Sequence, residues 1–204
     1  MKRSEIQDAV GDLGWRYVLG TIRATVPVGS IGQAAEVAAR CAAAAGDERL
    51  QLQLTRDHVL LTLPAEAIEP ARRLTAAVRE AGLATEPGGT QLVELAIDAL
   101  DIPAVKPFWR AIFAYEDEQG YPNAVVDPLG VGPAVWFQQM DAPRPQRNRI
   151  HFDISVPHDE APARIEAALA AGGTLVSAAH APAFWVLADA EGNEACITTW
   201  QGRD

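Results

Sequence analysis

Residues 150–156 read Ile-His-Phe-Asp-Ile-Ser-Val, and their strict alternation of apolar and polar side chains decides the fold. A period of two marks a strand with one face buried and one face open. Forward of it, Ala161–Ala171 reads as an alanine-rich helix closed by Gly172-Gly173. Thr174–Ser177, Phe184–Leu187 and Ala195–Thr199 then read as three short strands. Backward of it, the same order occurs a first time. Leu92–Ile97 is a strand, Pro103–Phe113 a helix, and Tyr115–Met140 holds three strand candidates, the best being Ala134–Met140. The order βαβββ therefore appears twice, as a repeat of pattern rather than of residues.

Ahead of this pair, Leu83–Thr90 (LATEPGGT) is the clear joint of the chain, with Pro87, Gly88 and Gly89 inside it. We expect a domain over residues 1–83, a linker over 84–90 and a second domain over 91–204. In the first domain, Ser4 can cap a helix over Glu5–Leu13. Trp15–Leu19 and Thr21–Val26 are strands. Ile31–Ala45 is a helix, with Ile31, Ala34, Ala35, Ala38, Cys41 and Ala42 on one apolar stripe. Leu50–Leu54 and His58–Leu63 are strands, and Glu66–Ala81 is a helix ending at Gly82. The order is α-β-β-α-β-β-α, and the fold class of the whole chain is α+β.

The net charge of -10 sits almost wholly in the second part. Residues 1–90 carry 10 basic and 11 acidic side chains, residues 91–204 carry 7 and 16. Such a surface repels phosphate backbones, so nucleic acid is not an expected partner. It suits a cationic ligand, and acidity is also an ordinary route to solubility. The two cysteines, Cys41 and Cys196, form no CxxC pair, so neither a thiol zinc site nor a disulfide framework is suggested. The first residues lack the apolar core of a signal peptide, and no run of about 20 apolar residues exists to span a membrane. The expected place is the cytoplasm, with both thiols reduced.

Two runs carry a family resemblance. Asp101-Ile-Pro-Ala-Val-Lys-Pro-Phe108-Trp109 sets an acid before a Phe-Trp pair in the first helix of the repeat. Phe137-Gln138 is followed by a loop and then by Arg147-Asn148-Arg149-Ile150-His151-Phe152-Asp153, with Asp189-Ala-Glu-Gly192-Asn193-Glu194 downstream. Together these resemble the glyoxalase-like branch of the vicinal-oxygen-chelate superfamily, over residues 91–200. The resemblance implies that paired βαβββ modules curl into a cup. It also implies a divalent metal in that cup, acting as a Lewis acid on a substrate oxygen. The family's metal positions fall at Glu94, Gln138, His151 and Cys196, where a Glu is usual at the last. A Glu/Gln/His/Cys set is a poor match to the family's own. We therefore expect no tightly held metal, with a weakly bound divalent ion on Glu94 and His151 as the alternative.

Strand alternation defines the cup without any ion. His151, Asp153 and Ser155 share a face, as do Glu94 and Ala96, and Glu194 and Cys196. Arg149 has the same parity and is the nearest partner for Asp153. Trp136 and Trp185 can supply flat apolar walls, or simply pack in the core. Phe108-Trp109 reads as core, and Gly192-Asn193 as a turn. The expected ligand pocket is thus Glu94, Trp136, Gln138, Arg149, His151, Asp153, Trp185, Glu194 and Cys196.

The order and spacing of residues 3–82, with Trp15 opening the first strand and Arg49–Leu63 following the long helix, resemble pterin-4a-carbinolamine dehydratase. That family implies a metal-free acid–base dehydration run by histidines in a His-His-Pro run and a later Thr-His. Here Gly46-Asp47-Glu48-Arg49 and Thr62-Leu63-Pro64-Ala65 stand in those regions, and His58 sits at a turn. Histidine is the side chain best suited to proton transfer near neutral pH, so a scaffold or dimerisation role is expected. The chain as a whole is expected to bind or convert a small molecule in its second domain, as a homodimer. The alternatives are pterin dehydration, a metal-dependent lyase or dioxygenase, or a purely structural protein.

Overall fold

Alternating strands and amphipathic helices bury one face each, and in the computed structural model they do so around two separate cores. The structure describes residues 1–88, 90–143 and 150–202. The chain divides into two compact units, Met1–Leu92 and Val93–Asp204, and its class is α+β. Among the described residues no helix is long and apolar enough to cross a membrane.

The first unit runs α1 (Arg3–Val10), a 3-10 turn (Gly11–Leu13), β1 (Arg16–Val18), β2 (Thr21–Pro27), α2 (Ile31–Ala45), β3 (Gln51–Leu54), β4 (His58–Pro64) and α3 (Ile68–Glu80). The strands form one antiparallel sheet in the order β1-β2-β4-β3. Ile22, Ala24 and Val26 on β2 and Val59, Leu61 and Leu63 on β4 face the helices. Trp15 is fully buried, and its indole N–H donates to Thr75 Oγ1 at 2.9 Å.

Two local expectations are corrected here. The buried stripe of α2 is Ala34, Val37, Cys41 and Ala45, while Ile31, Ala35 and Ala42 are exposed. Residue size explains the rotation, because Val37 buries more apolar surface than any alanine beside it. The first helix begins ahead of Ser4, with the Glu5 carboxylate accepting from the Lys2 backbone N–H at 2.7 Å. β1 pairs β2 only as far as Arg23, so the Thr25 backbone is left free further on. Glu86 pairs with it through two 2.8 Å hydrogen bonds, so the Pro87 stretch starts against β2.

The second unit runs β5 (Glu94–Ala99), α4 (Ile102–Phe113), β6 (Glu116–Asp117), β7 (Ala124–Val126) and β8 (Ala134–Gln139). It repeats as β9 (Phe152–Ser155), α5 (Ala161–Ala170), β10 (Thr174–Ser177), β11 (Phe184–Ala188) and β12 (Glu194–Thr198). The sheets are β5-β8-β7-β6 and β10-β11-β12-β9. In each, the first strand of the module lies parallel to the fourth and the remaining pairs are antiparallel. A parallel pair needs a crossover, which α4 and α5 help supply. The first strand starts two residues later than its hydrophobic pattern suggested, because Ile97 and Ala99 are the buried positions.

One core serves both modules. Val105, Phe108, Trp109 and Ile112 of α4 meet Phe137 of β8, Ala168 of α5 and Leu187 and Ile197 of the second sheet. Gly173 makes this close approach possible: a Cβ there would lie 2.3 Å from the Phe108 ring. The second module's β11–β12 turn grips the start of the first module's helix. Asp189, 3% exposed, accepts from Trp109 Nε1 at 2.9 Å and from Asn193 Nδ2 at 2.8 Å. Its other oxygen accepts the backbone N–H groups of Glu191 and Asn193, both at 2.9 Å. The Glu191 carboxylate in turn accepts from Leu100 N at 3.0 Å and Asp101 N at 2.6 Å.

Asp189→Ala strands the buried Trp109 donor and two turn N–H groups. It should lower unfolding free energy by about 3 kcal/mol in urea melts followed by tryptophan fluorescence. Trp109→Phe keeps the ring contacts and should cost less. Equal, near-zero effects would mean that the turn does not hold the modules together.

Candidate functional site

The helices cover one face of each sheet in the second unit, so the residues of opposite parity are left on the other face. On β5 these are Glu94, Ala96 and Asp98, and on β8 they are Trp136 and Gln138. Register puts Ala96 and Ala124 beside Trp136, and Asp98 beside Gln138. In the second sheet, Asp153 lies across from Cys196, and Cys196 from Val186. One row further, Ser155 Oγ and Thr198 Oγ1 hydrogen-bond at 2.8 Å.

His151 stands one residue ahead of β9 on the same side. The ligand atoms of His151, Asp153 and Cys196 all lie within 4.8 Å of one another. His151 Nε2 is 3.6 Å from Asp153 Oδ1, and both side chains are about 60% exposed, at 59% and 61%. Cys196 is buried, at 8% exposure. Its burial, together with the charge and hydrogen bond of Asp153 and the charge of Glu194, pushes the thiol up to about 11. At neutral pH the group is therefore a thiol that donates to Asp153, not a thiolate. Asp153 is the hub of the trio, with the imidazole on one side and the thiol on the other.

The remaining expected site residues fall in several places. Trp136 is 38% exposed on the open face and Gln138 is exposed beside it. Glu194 is half-buried, with Val186, Cys196 and Thr198 as its same-face companions across and along the strands. Glu94 is exposed, and its charge adds to burial in raising the Glu118 carboxyl. Among the described residues it is not part of the His151 group. Trp185 lies on the other face, packed against the core with Leu187 and Ile197. Arg149 lies outside the described residues.

Sequence reasoning missed the part played by Asp189 and Glu191, which it read as a turn. The available signal was Trp109 itself, because a buried indole N–H requires an acceptor. It also missed Asp98, whose parity with Glu94 was there to be read.

In the first unit a cavity of about 520 Å³ is lined by Asp47, Glu48, Arg49, Pro64, Ile68 and Pro70, among others. Among the described residues no histidine lines it. His58 instead closes the β3–β4 turn, with Nδ1 2.8 Å from both Asp57 Oδ1 and Thr55 Oγ1.

Compared with known proteins, residues 94–198 match the family described as a glyoxalase-like domain. Among solved structures, a glyoxalase-related enzyme from Fulvimarina pelagi is 18% identical with a TM-score of 0.43, covering 54% of this chain and 88% of its own. A glyoxalase/bleomycin resistance protein/dioxygenase family enzyme from Burkholderia phytofirmans PsJN is 18% identical with a TM-score of 0.43, covering 52% and 95%. A lactoylglutathione lyase from Agrobacterium tumefaciens is 18% identical with a TM-score of 0.37, covering 55% and 96%. No curated protein matches the chain.

The raised thiol of Cys196 makes a direct prediction. Near neutral pH it should alkylate on the order of 100-fold more slowly than an unperturbed cysteine, because its thiolate fraction falls by that factor. Asp153→Asn removes the neighbouring charge and should speed the reaction, read by mass spectrometry of the labelled peptide. Fast labelling of the wild type would contradict the assigned thiol.

Proposed function

The chain belongs to the glyoxalase-like domain family through residues 94–198, and on that premise we propose that its second unit binds or converts a small molecule on the open sheet face. The observation that carries this reading is the gathering of His151, Asp153 and Cys196 within 4.8 Å on the side the helices leave bare. An imidazole suits proton transfer near neutral pH, and a carboxylate beside it orients the ring. The Cys196 S–H is a weak donor held between strands. Trp136 offers a flat apolar surface for a ligand's skeleton. Glu94, Asp98, Asp153 and Glu194 share this side of the sheets, so a ligand with a positive group is favoured over an anion.

The superfamily resemblance implies a divalent metal held by Glu94, Gln138, His151 and Cys196. The donor set does not fit that four-strand arrangement. Cys196 supplies sulfur where the family has a carboxylate, and Glu94 is absent from the gathered group. Binding and proton transfer are accordingly assigned to the chain's own side chains: His151 moves the proton, Asp153 holds the ring and Trp136 positions the ligand.

The first unit we assign as a scaffold, and the working assembly as a homodimer. Its cavity lies where a pterin-4a-carbinolamine dehydratase would carry its histidines, and it has none.

A thermal-shift screen of metabolites and cationic drugs should find ligands that raise the melting temperature. A ligand at 100 times its Kd adds about 2.7 kcal/mol of stability. His151→Ala should abolish the shift and Trp136→Ala should weaken it; a shift unchanged in both would place the ligand elsewhere. A carbinolamine pterin added to the full chain should dehydrate no faster than in buffer. Clear turnover would instead assign activity to the first unit.

A further inference from the structure

We propose that the guanidinium of Arg23, on the first sheet's face turned away from the helices, anchors a site for the carboxylate or phosphate group of a small molecule. The site belongs to the first unit by itself and does not rest on the ligand reading above. Arg23 is not among the residues that line the cavity near Asp47 and Arg49.

Strand parity puts Arg23 there. Ile22, Ala24 and Val26 pack against the helices, so Thr21, Arg23 and Thr25 point the other way. Register then sets one polar row across all four strands. Arg16 lies opposite Arg23, Arg23 opposite Thr62, and Thr62 opposite Gln51. Two cations thus stand on neighbouring strands, and like charges directly opposite repel. No residue of this parity on the four strands is acidic. Arg16 donates Nη1 to the Gly11 and Trp15 carbonyls, at 3.1 and 2.8 Å.

Arg23 is 7% exposed, and its Nε is buried with no acceptor. Nη1 donates to Gln91 O over a long 3.3 Å, and among the described residues the side chain makes no ion pair. Burial lowers its pKa from the usual value, yet a guanidinium stays protonated at neutral pH. The charge therefore persists where water reaches it poorly and no carboxylate answers it. A buried charge in that position calls for a counter-ion.

Guanidinium geometry names the ligand. Nε and Nη2 form the planar edge that meets two oxygens of a carboxylate or phosphate in parallel N–H···O bonds. Thr62, buried directly across the strands, offers a hydroxyl to the same anion. Thr25 cannot, because its hydroxyl is bonded to Glu86 O and Gly88 O at 3.1 and 3.0 Å. The segment that carries those carbonyls and Gln91 fixes the Nη1 side and leaves the Nε edge for the ligand.

The test titrates the full chain with sodium phosphate and, separately, sodium acetate, with chloride holding ionic strength constant. Either probe should move the Arg23 Nε–H resonance saturably, and the tighter one identifies the group the ligand presents. Both should raise the melting temperature above that in chloride alone. Arg23→Lys keeps the charge but loses the fork, and should weaken binding about tenfold. Arg23→Gln should abolish the anion-dependent rise, and Thr62→Val should reduce it. In chloride alone Arg23→Gln should melt no lower than the wild type, because it removes a buried unpaired charge. An Nε–H resonance that stays still, a rise that survives in Arg23→Gln, or an Arg23→Gln chain that melts far below the wild type would each overturn the site. An assembly that dissociates in Arg23→Gln would give the fork to a second chain and overturn it equally.

Discussion

The second unit depends on one buried carboxylate. Asp189 sits 3% exposed and satisfies the Trp109 indole, the Asn193 amide and two turn N–H groups at once. A buried charge without partners would cost several kcal/mol, so the turn and the helix must meet for either to be stable where it is. The same turn lends Glu191 to the two backbone N–H groups at the β5–α4 junction. A repeat of pattern thereby becomes one body with a single core.

That core decides where chemistry can sit. Trp109 packs against Phe113 and edge-on to Phe108 and Phe152, and this aromatic group occupies the helix side of the sheets. Phe152 alternates with His151 and Asp153, so burying the ring forces the imidazole and carboxylate to the opposite face. Cys196 follows by the same logic, because its neighbours Ala195 and Ile197 are buried in the core. The gathering of the exposed His151 and Asp153 beside the buried Cys196 is thus a consequence of the packing beneath it.

Much of this was legible in the residues. The alternation in 150–156 marks β9 and the face that His151 shares with Asp153, and the doubled βαβββ order names the architecture. What escaped was set by long-range contact. Trp185 has the same residue type as Trp136, but the parity of β11 puts it with Leu187 on the core side. The α2 stripe turned on Val37 because volume, not mere apolarity, chooses the buried face. The gathering of Asp153 with Cys196 depends on the parallel register of two strands about 40 residues apart, which no local pattern encodes. Glu94 stands apart for a similar reason: its charge acts on Glu118, in the irregular segment after β6.

Hydrogen exchange at the indole N–H groups, resolved by NMR, tests this picture most directly. Trp109, closed off by Asp189, should exchange only with global opening of the second unit, while the exposed Trp200 exchanges within the dead time. If Trp109 exchanged as fast as Trp200, the buried carboxylate would not be joining the modules, and the open face built on that joint would lose its foundation.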